Sequence, residues 1–403
     1  MNATEAQAKW SLDGAQRACS LLETFARILP HFAELGITRV ADITGLDRIG
    51  IPVALCIRPD SATLAVDSGK GATVDAAMAS AAMEGIERVT AENATFADVM
   101  RAPVRASYEM EWNFPLLAGA IFELEAERDW VKAEDLFTGR DIWVPKRVAA
   151  LDCLAGPMAE SAHYSTSNGL ASGNTREEAV ANALYELIER DNIALETVKN
   201  GPGRVIDQQT IPWASVGKLL RKIAAARCGV TIFDCLNDVK VPTYMAVLFD
   251  REEKGVGAFR GYGAHLSPEI AMCRAVCEAA QARAVIVAGA RDDISHERYN
   301  FLLNLTEAED LSRWDQKANT ACGVHDRSAK SFREDIAILM EELEAAGFAR
   351  ALMIDFNAYE KTGAHVVRMM VPGLEGYPTS AMAYGKRALA VQAQSITENG
   401  SEK

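Results

Sequence analysis

Residues 175–190 read TREEAVANALYELIER, and this stretch decides how the whole chain is interpreted. Thr175 is a typical helix N-cap, and acidic residues follow it in the first turn. Small and apolar residues then cover most sides of the expected helix. One polar stripe remains, because residues three or four apart share a helix face. It consists of Glu178, Asn182, Glu186 and Glu189.

The same pattern occurs at residues 73–88 and 267–283. Each segment begins with a Thr or Ser N-cap and continues with small apolar residues. Each then offers a carboxylate followed three residues later by Glu or Gln. These residues are Glu84 and Glu87, with Ser80 on the same face, and Glu278 and Gln281. We expect three helices of one kind, which are too far apart and too different in their flanks for a solenoid.

A run of Glu-x-x-Glu-Arg has an ordinary explanation as a solvated helix face with an ion pair four residues apart, such as Glu186 with Arg190. Its recurrence at a fixed distance from an N-cap, among alanines and isoleucines, favours a functional site instead. Four carboxylates that converge from two packed helices would be costly without a cation. Mg²⁺ prefers oxygen ligands and is usually completed by substrate phosphates. The pattern therefore favours a site for Mg²⁺ and a nucleotide.

Composition and charge argue against several other classes of protein. The chain has 403 residues and a net charge of −14, without the basic run that follows a nucleic-acid backbone. No apolar stretch approaches the roughly 20 residues of a membrane span, and no signal peptide is apparent. The eight cysteines contain no C-x-x-C pair, which indicates reduced, buried thiols rather than a zinc site. We expect a cytoplasmic protein that binds neither nucleic acid nor membrane.

Strand and helix signals alternate without a steady βαβ rhythm, which predicts an α+β fold. The periodicity predicts helices over 15–35 and 331–346 and strands at 51–59, 142–144, 230–233, 244–249, 352–356 and 366–371. The domain organisation that we expect is a flexible N-terminus at 1–14, one catalytic domain of intertwined lobes at 15–387, and a flexible tail at 388–403.

Three ordered motifs resemble the signatures of the YcaO family, over about residues 17–295. The first is GKGAT at 69–73, in which we expect a flexible Gly-Lys-Gly turn before the helix. Ser80, Glu84, Glu87 and Arg88 follow it. The second is SNGLASGNT at 167–175, followed by Glu178, Glu186, Glu189 and Arg190. The third consists of Glu278, Gln281 and Arg283. One departure is Ala171, where the family often has a serine.

The resemblance implies a YcaO-type α+β fold, in which mixed sheets and packed helices enclose a cleft for ATP and Mg²⁺ without a Walker loop. It implies that Mg²⁺ is ligated by Glu84, Glu87, Glu186 and Glu189. It implies that ATP is contacted by Lys70, Ser80, Arg88, Asn174, Glu178, Asn182, Arg190, Gln281 and Arg283. No catalytic residue beyond this cleft is implied. By rough position, Arg17 and Thr24 on the N-terminal helix are further candidates.

Members of the family use ATP to phosphorylate the oxygen of a peptide backbone amide while a nucleophile adds to the carbonyl carbon. Azoline-forming members typically end in a proline-rich tail, whereas this chain has no proline after Pro378. The resemblance therefore favours the stand-alone branch, which forms thioamides with a TfuA-like partner. It also implies a peptide or protein substrate and a homodimer. The alternatives are an azoline-forming cyclodehydratase, a nucleotide-binding peptide scaffold without catalysis, and a carboxylate–amine ligase.

Two other residues precede the second motif. His163 is the histidine that we would test as a proton carrier, because it lies close to the motif in sequence. Cys153 is conceivable as a persulfide carrier. The remaining histidines are dispersed without metal-ligand spacing.

Overall fold

The computed structural model describes residues 8–12, 14–105, 108–151, 162–163, 165–199, 203–252, 257–294, 297, 317–376 and 382–400. The chain divides into two compact units. The first unit consists of Met1–Gly85, Pro202–Leu236 and Val241–Asp335. The second unit consists of Ile86–Gly201, Asn237–Lys240 and Ile336–Lys403.

The described residues contain helices and strands in mixed order. The helices are α1 (Leu21–Ile28), α2 (Val74–Glu92), α3 (Lys146–Ala149), α4 (Arg176–Thr197), α5 (Ala214–Ala225), α6 (Pro268–Ala288), α7 (Phe332–Ala345), α8 (Tyr359–Thr362) and α9 (Lys386–Gly400). The strands are β1 (Trp10–Leu12), β2 (Ala15–Arg17), β3 (Arg39–Asp42), β4 (Val53–Ile57), β5 (Val66–Lys70), β6 (Val99–Ala102), β7 (Arg128–Asp135), β8 (Asp141–Pro145), β9 (Leu170–Gly173), β10 (Arg204–Val205), β11 (Cys228–Asp234), β12 (Thr243–Asp250), β13 (Phe259–Ala264), β14 (Leu352–Asp355) and β15 (His365–Met370).

The first unit is built around a four-stranded antiparallel sheet of order β10-β11-β12-β13. Helix α6 packs closely on β13, because Gly261 and Gly263 leave no side chain between them. A Cβ at Gly261 would lie 2.1 Å from the backbone nitrogen of Ala279, and one at Gly263 would lie 2.1 Å from the carbonyl oxygen of Ala271. A three-stranded sheet, β3-β4-β5, belongs to the same unit. This arrangement holds the third motif helix beside a sheet.

The second unit is built around a six-stranded antiparallel sheet of order β6-β7-β14-β15-β9, in which β8 also pairs with β7. Helix α4 packs on β9 and β15. Trp130 is fully buried, and its indole nitrogen donates a hydrogen bond of 2.9 Å to the carbonyl oxygen of Ala102. The sheet therefore supports the helix that carries the second motif.

The three helices expected from the repeated pattern are present as α2, α4 and α6, and the α+β class is confirmed. Thr73 and Thr175 cap their helices, since their hydroxyl groups accept hydrogen bonds from the backbone nitrogens of Ala76 and Glu178. Ser267 occupies the N-cap of α6 without a side-chain capping bond. The expected strands and the helix at 331–346 correspond to β4, β8, β11, β12, β14, β15 and α7.

The helix expected over 15–35 is wrong in its first part. Residues 15–17 form strand β2 and pair with β1, so Arg17 lies on a strand. The helix starts after Ser20, whose hydroxyl accepts from the backbone nitrogen of Glu23 while the Glu23 carboxylate accepts from the backbone nitrogen of Ser20. This capping box fixes the start of the helix more strongly than the apolar periodicity upstream. Thr24 is on α1, as expected, and is buried.

Both ends of the chain contain regular structure within segments that we expected to be flexible. Strand β1 lies within 1–14, and helix α9 covers most of 388–403. The carboxylate oxygens of Glu375 accept hydrogen bonds from the backbone nitrogens of Gly385 (2.7 Å) and Ala388 (2.9 Å), which satisfies the first turn of α9. In the part of the chain that the structure describes, no helix combines the length and apolar character needed to cross a membrane.

Candidate nucleotide and metal site

The start of α4 is held by short-range hydrogen bonds within the second motif. Glu178 is buried, and one of its carboxylate oxygens accepts from both the backbone nitrogen of Asn174 (2.9 Å) and its side-chain amide (3.0 Å). Gly173 allows a close approach of strand and helix, since a Cβ there would lie 2.5 Å from the backbone nitrogen of Ala179. Two of the residues implied to contact ATP are therefore fixed to each other at one helix terminus.

Ser172 links the second motif to Glu87 of the first motif. One carboxylate oxygen of Glu87 accepts from the backbone nitrogen of Ser172 at 2.9 Å and from its hydroxyl at 2.7 Å. The side-chain amide of Asn182 lies 3.5 Å from the carbonyl oxygen of Ser172, at the limit of a hydrogen bond. Ser172, the residue next to Ala171, thus supplies a hydroxyl contact to a predicted metal ligand.

Arg190 lies beside both carboxylates of the Glu-x-x-Glu run. Its guanidinium nitrogens are 3.6 Å from Glu186 and 4.0 Å from Glu189. The ion pair of Glu186 with Arg190, which is part of the ordinary explanation of this run, is present. Glu189 is buried and Glu186 is half-buried. Carboxylate oxygens of this kind suit Mg²⁺, and the positive charge of Arg190 offsets their mutual repulsion.

Asp191 directly follows this run and is fully buried. It accepts hydrogen bonds of 2.8 Å from the backbone nitrogen of Glu375 and from the Arg387 guanidinium. Burial raises the pKa of Asp191 to about 7, although the charge of Arg387 opposes the shift. The C-terminal half of α4 is therefore tied to the start of α9.

In the first unit, the third motif helix is bonded to strand β5. Lys70 forms an ion pair of 2.6 Å with Glu278. The side-chain amide of Gln281 donates to both the carbonyl oxygen (2.7 Å) and the hydroxyl (2.9 Å) of Ser68. The first contact joins residues of the first and third motifs, and both contacts join positions more than 200 residues apart in sequence.

The glycines around Lys70 do not form the flexible turn that the sequence suggested. Gly69 and Lys70 belong to β5, and a Cβ at Gly69 would lie 2.0 Å from the backbone nitrogen of Ala81 on α2. Gly69 is thus required by the close packing of a strand on a helix rather than by mobility. Ser80, Glu84, Glu87 and Arg88 all lie on α2, as predicted.

Arg283 is engaged in an internal ion-pair network of the first unit. The side chain is 4% exposed, and its guanidinium lies 3.1 Å from Asp47 and 3.4 Å from Asp250. Its Nη1 is buried without a hydrogen-bond partner. Arg48 also pairs with Asp250, at 2.7 Å. Arg283 therefore stabilises the first unit through ion pairs, in addition to the ATP contact that the resemblance implies.

The arginine on β15 was not found by sequence reasoning. Arg368 is fully buried and lies in the second unit, where its guanidinium donates to the carbonyl oxygen of Asn168 in the second motif at 2.8 Å. An isolated arginine within the apolar strand 366–370 is a signal that could have identified it.

His163 is fully buried, and its Nε2 donates to the carbonyl oxygen of Trp112 at 3.0 Å. Its ring packs against Phe114 and Phe122. Burial lowers the pKa of His163 to about 4, so the imidazole stays neutral near pH 7. This environment suits a structural imidazole rather than the proton carrier that we considered. Cys153 lies outside the described residues, whereas the seven described cysteines are all free and buried.

The donor set fits the groups that the motifs imply. The four predicted metal ligands are carboxylates, which suit Mg²⁺, and Lys70 and Arg190 supply positive charge of the kind that binds phosphate. Among the described residues, no three Asp, Glu, His or Cys side chains are grouped closely enough to hold a metal ion by themselves.

Comparison with known families identifies the class of protein. Residues 68–375 match the family described as YcaO cyclodehydratase, ATP- and Mg²⁺-binding. The chain belongs to the YcaO family, and ATP and Mg²⁺ are its cofactors. This assignment confirms the resemblance that the three motifs carried.

Two relatives match over most of their length. An uncharacterised protein of Methanothermobacter thermautotrophicus is 33% identical over 372 residues, covering 91% of this chain and 96% of the relative. An uncharacterised protein encoded in the tfuA 3′ region of Rhizobium leguminosarum bv. trifolii is 34% identical, covering 90% of this chain and 89% of the relative.

Two solved structures share the fold. YcaO from Methanopyrus kandleri, bound with AMPPCP and Mg²⁺, has a TM-score of 0.73 at 24% identity and covers 92% of this chain and 95% of its own. A heterocyclase in complex with substrate and cofactor has a TM-score of 0.76 at 19% identity over 93% of this chain. The present chain spans 54% of that heterocyclase's length.

Proposed function

We propose that this chain uses ATP and Mg²⁺ to phosphorylate the oxygen of a peptide backbone amide, and that the product is a thioamide formed with a TfuA-like partner. The proposal rests on hydrogen bonds and ion pairs among the motif residues in a chain that belongs to the YcaO family. Ser172 fixes Glu87, and Arg190 lies beside Glu186 and Glu189.

In the proposed reaction, a sulfide equivalent adds to the carbonyl carbon of the amide. The amide oxygen then takes the γ-phosphoryl group of ATP and releases ADP. Loss of this oxygen as inorganic phosphate leaves a carbon–sulfur double bond. Phosphorylation is needed because the oxygen of a tetrahedral amide adduct is otherwise a very poor leaving group. Bound Mg²⁺ would supply electrostatic stabilisation to the phosphates.

The proposed roles follow the motif positions. Glu84, Glu87, Glu186 and Glu189 hold Mg²⁺. The nucleotide is contacted by Lys70, Ser80, Arg88, Asn174, Glu178, Asn182, Arg190, Gln281 and Arg283. The chain's own contribution is to fix these groups before ATP arrives, so that little reorganisation is needed on binding.

The thioamide branch is supported by one observation. The relative from Rhizobium is encoded in the tfuA 3′ region. This location favours a TfuA-like partner that delivers sulfur to the activated amide. We also propose a cytoplasmic homodimer, which light scattering of the purified protein would test.

The test combines ATP turnover with mass spectrometry of the peptide. The proposal expects ATP consumption that requires peptide, and a product in which sulfur replaces oxygen when a TfuA-like partner and sulfide are present. Loss of water from the peptide without sulfur incorporation would instead indicate an azoline-forming cyclodehydratase, the alternative that the family description favours. Nucleotide binding without consumption under all these conditions would indicate a peptide-binding scaffold.

A further inference from the structure

Arg368 is among the largest fully buried side chains of the protein. It lies on β15 and donates hydrogen bonds to three backbone carbonyl oxygens. These are Asn168 at 2.8 Å, Ala149 at 3.4 Å and Ala150 at 3.4 Å. Within the described part of the chain, no carboxylate lies within 4 Å of this guanidinium.

A buried cation without a direct ion pair is costly, so its position requires an explanation. Burial lowers the pKa of Arg368 to about 10, and the charge that opposes this shift comes from Glu186. Glu186 is one of the predicted Mg²⁺ ligands on α4. Among the described residues, the carboxylate whose charge favours the charged form of Arg368 is thus a predicted Mg²⁺ ligand, which motivates a role beyond packing.

The carbonyl of Asn168 belongs to the turn of the second motif, and this turn is confined on both sides. Gly169 has φ +76, and a Cβ there would lie 2.2 Å from the carbonyl oxygen of Met369 and 3.1 Å from the Leu187 side chain. The turn is therefore enclosed by β15 and by the residue that follows Glu186. Arg368 adds the polar anchor for this turn, and it joins the turn to the end of α3 through Ala149 and Ala150.

The turn leads directly into β9, which carries the contact to Glu87. Only two residues separate Leu170, the partner of Arg368 in the sheet, from the glycine that ends the strand. Ser172 lies between them and donates twice to Glu87. A displacement of the 168–169 turn would therefore move Ser172 and release the Glu87 carboxylate.

We infer that Arg368 is a positioning residue for the ATP and Mg²⁺ site. Its planar guanidinium donates to the Asn168 carbonyl of the second-motif turn and to two carbonyls at the end of α3, which holds the turn and thereby fixes Ser172 and Glu87. The inference rests on the proposed function for its effect on ATP. A lysine cannot reproduce it, because an ammonium on a flexible stem lacks the fork that reaches several acceptors at once.

The test compares Arg368→Met and Arg368→Lys with Val144→Ala, a control in the same unit. Val144 is fully buried on β8, which pairs only with β7 among the described strands. Its truncation weakens the core cluster that also contains Ala149, and it leaves the backbone carbonyls that Arg368 contacts in place. We expect both Arg368 variants to exchange amide hydrogens of residues 165–173 about tenfold faster and to raise KM for ATP about tenfold with little change in kcat. Val144→Ala should lower the melting temperature while leaving both quantities unchanged.

Two results would overturn the inference. One is wild-type exchange of residues 165–173 in Arg368→Met. The other is an equal rise in exchange and KM in Val144→Ala, which would indicate general loosening of the unit. If the unaltered protein did not bind ATP, the proposed function would fail, whereas the exchange measurement would still decide whether Arg368 holds the turn.

Discussion

Arg283 and Arg368 are buried arginines of the two units, and they are stabilised in different ways. In the first unit Arg283 is neutralised by Asp47 and Asp250, at 3.1 and 3.4 Å. In the second unit Arg368 is surrounded by carbonyl oxygens. Arg283 belongs to a recognisable motif but is committed to internal ion pairs, whereas Arg368 belongs to none and supports a motif turn. Membership of a motif therefore does not by itself say what a buried charge does.

The largest expected effect comes from breaking the network of Arg283. In Arg283→Met, Asp47 and Asp250 lose a buried partner, and we expect the free energy of unfolding of the first unit to fall by about 3–5 kcal/mol. In Arg368→Met, carbonyl oxygens lose donors but no carboxylate is stranded within ion-pair distance, so the loss in the second unit should be about 1–3 kcal/mol. Urea denaturation with probes in each unit would measure both. A larger loss of unfolding free energy in Arg368→Met than in Arg283→Met would contradict this prediction.

His163 provides a third way to bury a basic group, which is to keep it neutral. Its pKa is about 4 in the folded protein and about 6.5 in an unfolded chain. The unfolded state therefore binds more protons between these values, and stability that is present above pH 6.5 is lost as the pH falls towards 4. We expect His163 to account for about 2 kcal/mol of lost stability between pH 7 and pH 5.

The matched variants for this prediction are His163→Gln and His325→Gln. Glutamine can donate to the carbonyl oxygen of Trp112 without titrating, so His163→Gln should flatten the pH dependence of the urea midpoint. His325 is exposed, and its replacement should leave the dependence as it is. Equal slopes in all three proteins would mean that His163 charges in the folded state.

Ser172→Ala tests the contact through which the turn held by Arg368 reaches the predicted metal ligand Glu87. The variant removes the 2.7 Å hydrogen bond from the hydroxyl to Glu87 and keeps the 2.9 Å bond from the backbone nitrogen. A hydrogen bond to a charged group contributes about 1.5–3 kcal/mol, and one of the two donors remains. We therefore expect KM for ATP to rise about tenfold, in steady-state turnover. An unchanged KM would mean that the hydroxyl of Ser172 does not contribute to ATP binding.

The smallest effect is expected from deleting the last ten residues, 394–403. The contacts of Glu375 and Arg387 hold the first turn of α9, and the deletion leaves them in place. ATP turnover should stay within about twofold of the full chain. Abolished turnover would show that residues 394–403 contribute to the active site.

The sequence predicted the motif helices well because their signals are local. N-caps, small residues and carboxylates at helical spacing lie within each of α2, α4 and α6. The strand–helix contact at Gly69 was misread, because a glycine required by close packing looks the same in sequence as a flexible one. The role of Arg368 could not be predicted, because its partners lie about 200 residues away in sequence. They are backbone carbonyls, which every residue type carries.

In the proposed function, carboxylates of the motif helices hold ATP through Mg²⁺. A calorimetric titration of the protein with ATP, with and without Mg²⁺, tests this arrangement, and it is repeated with Glu84→Gln, Glu186→Gln and the exposed control Glu341→Gln. We predict tight binding that requires Mg²⁺, strong weakening in the first two variants and none in the control. Unchanged binding in Glu84→Gln and Glu186→Gln, or no binding by the unaltered protein, would contradict it.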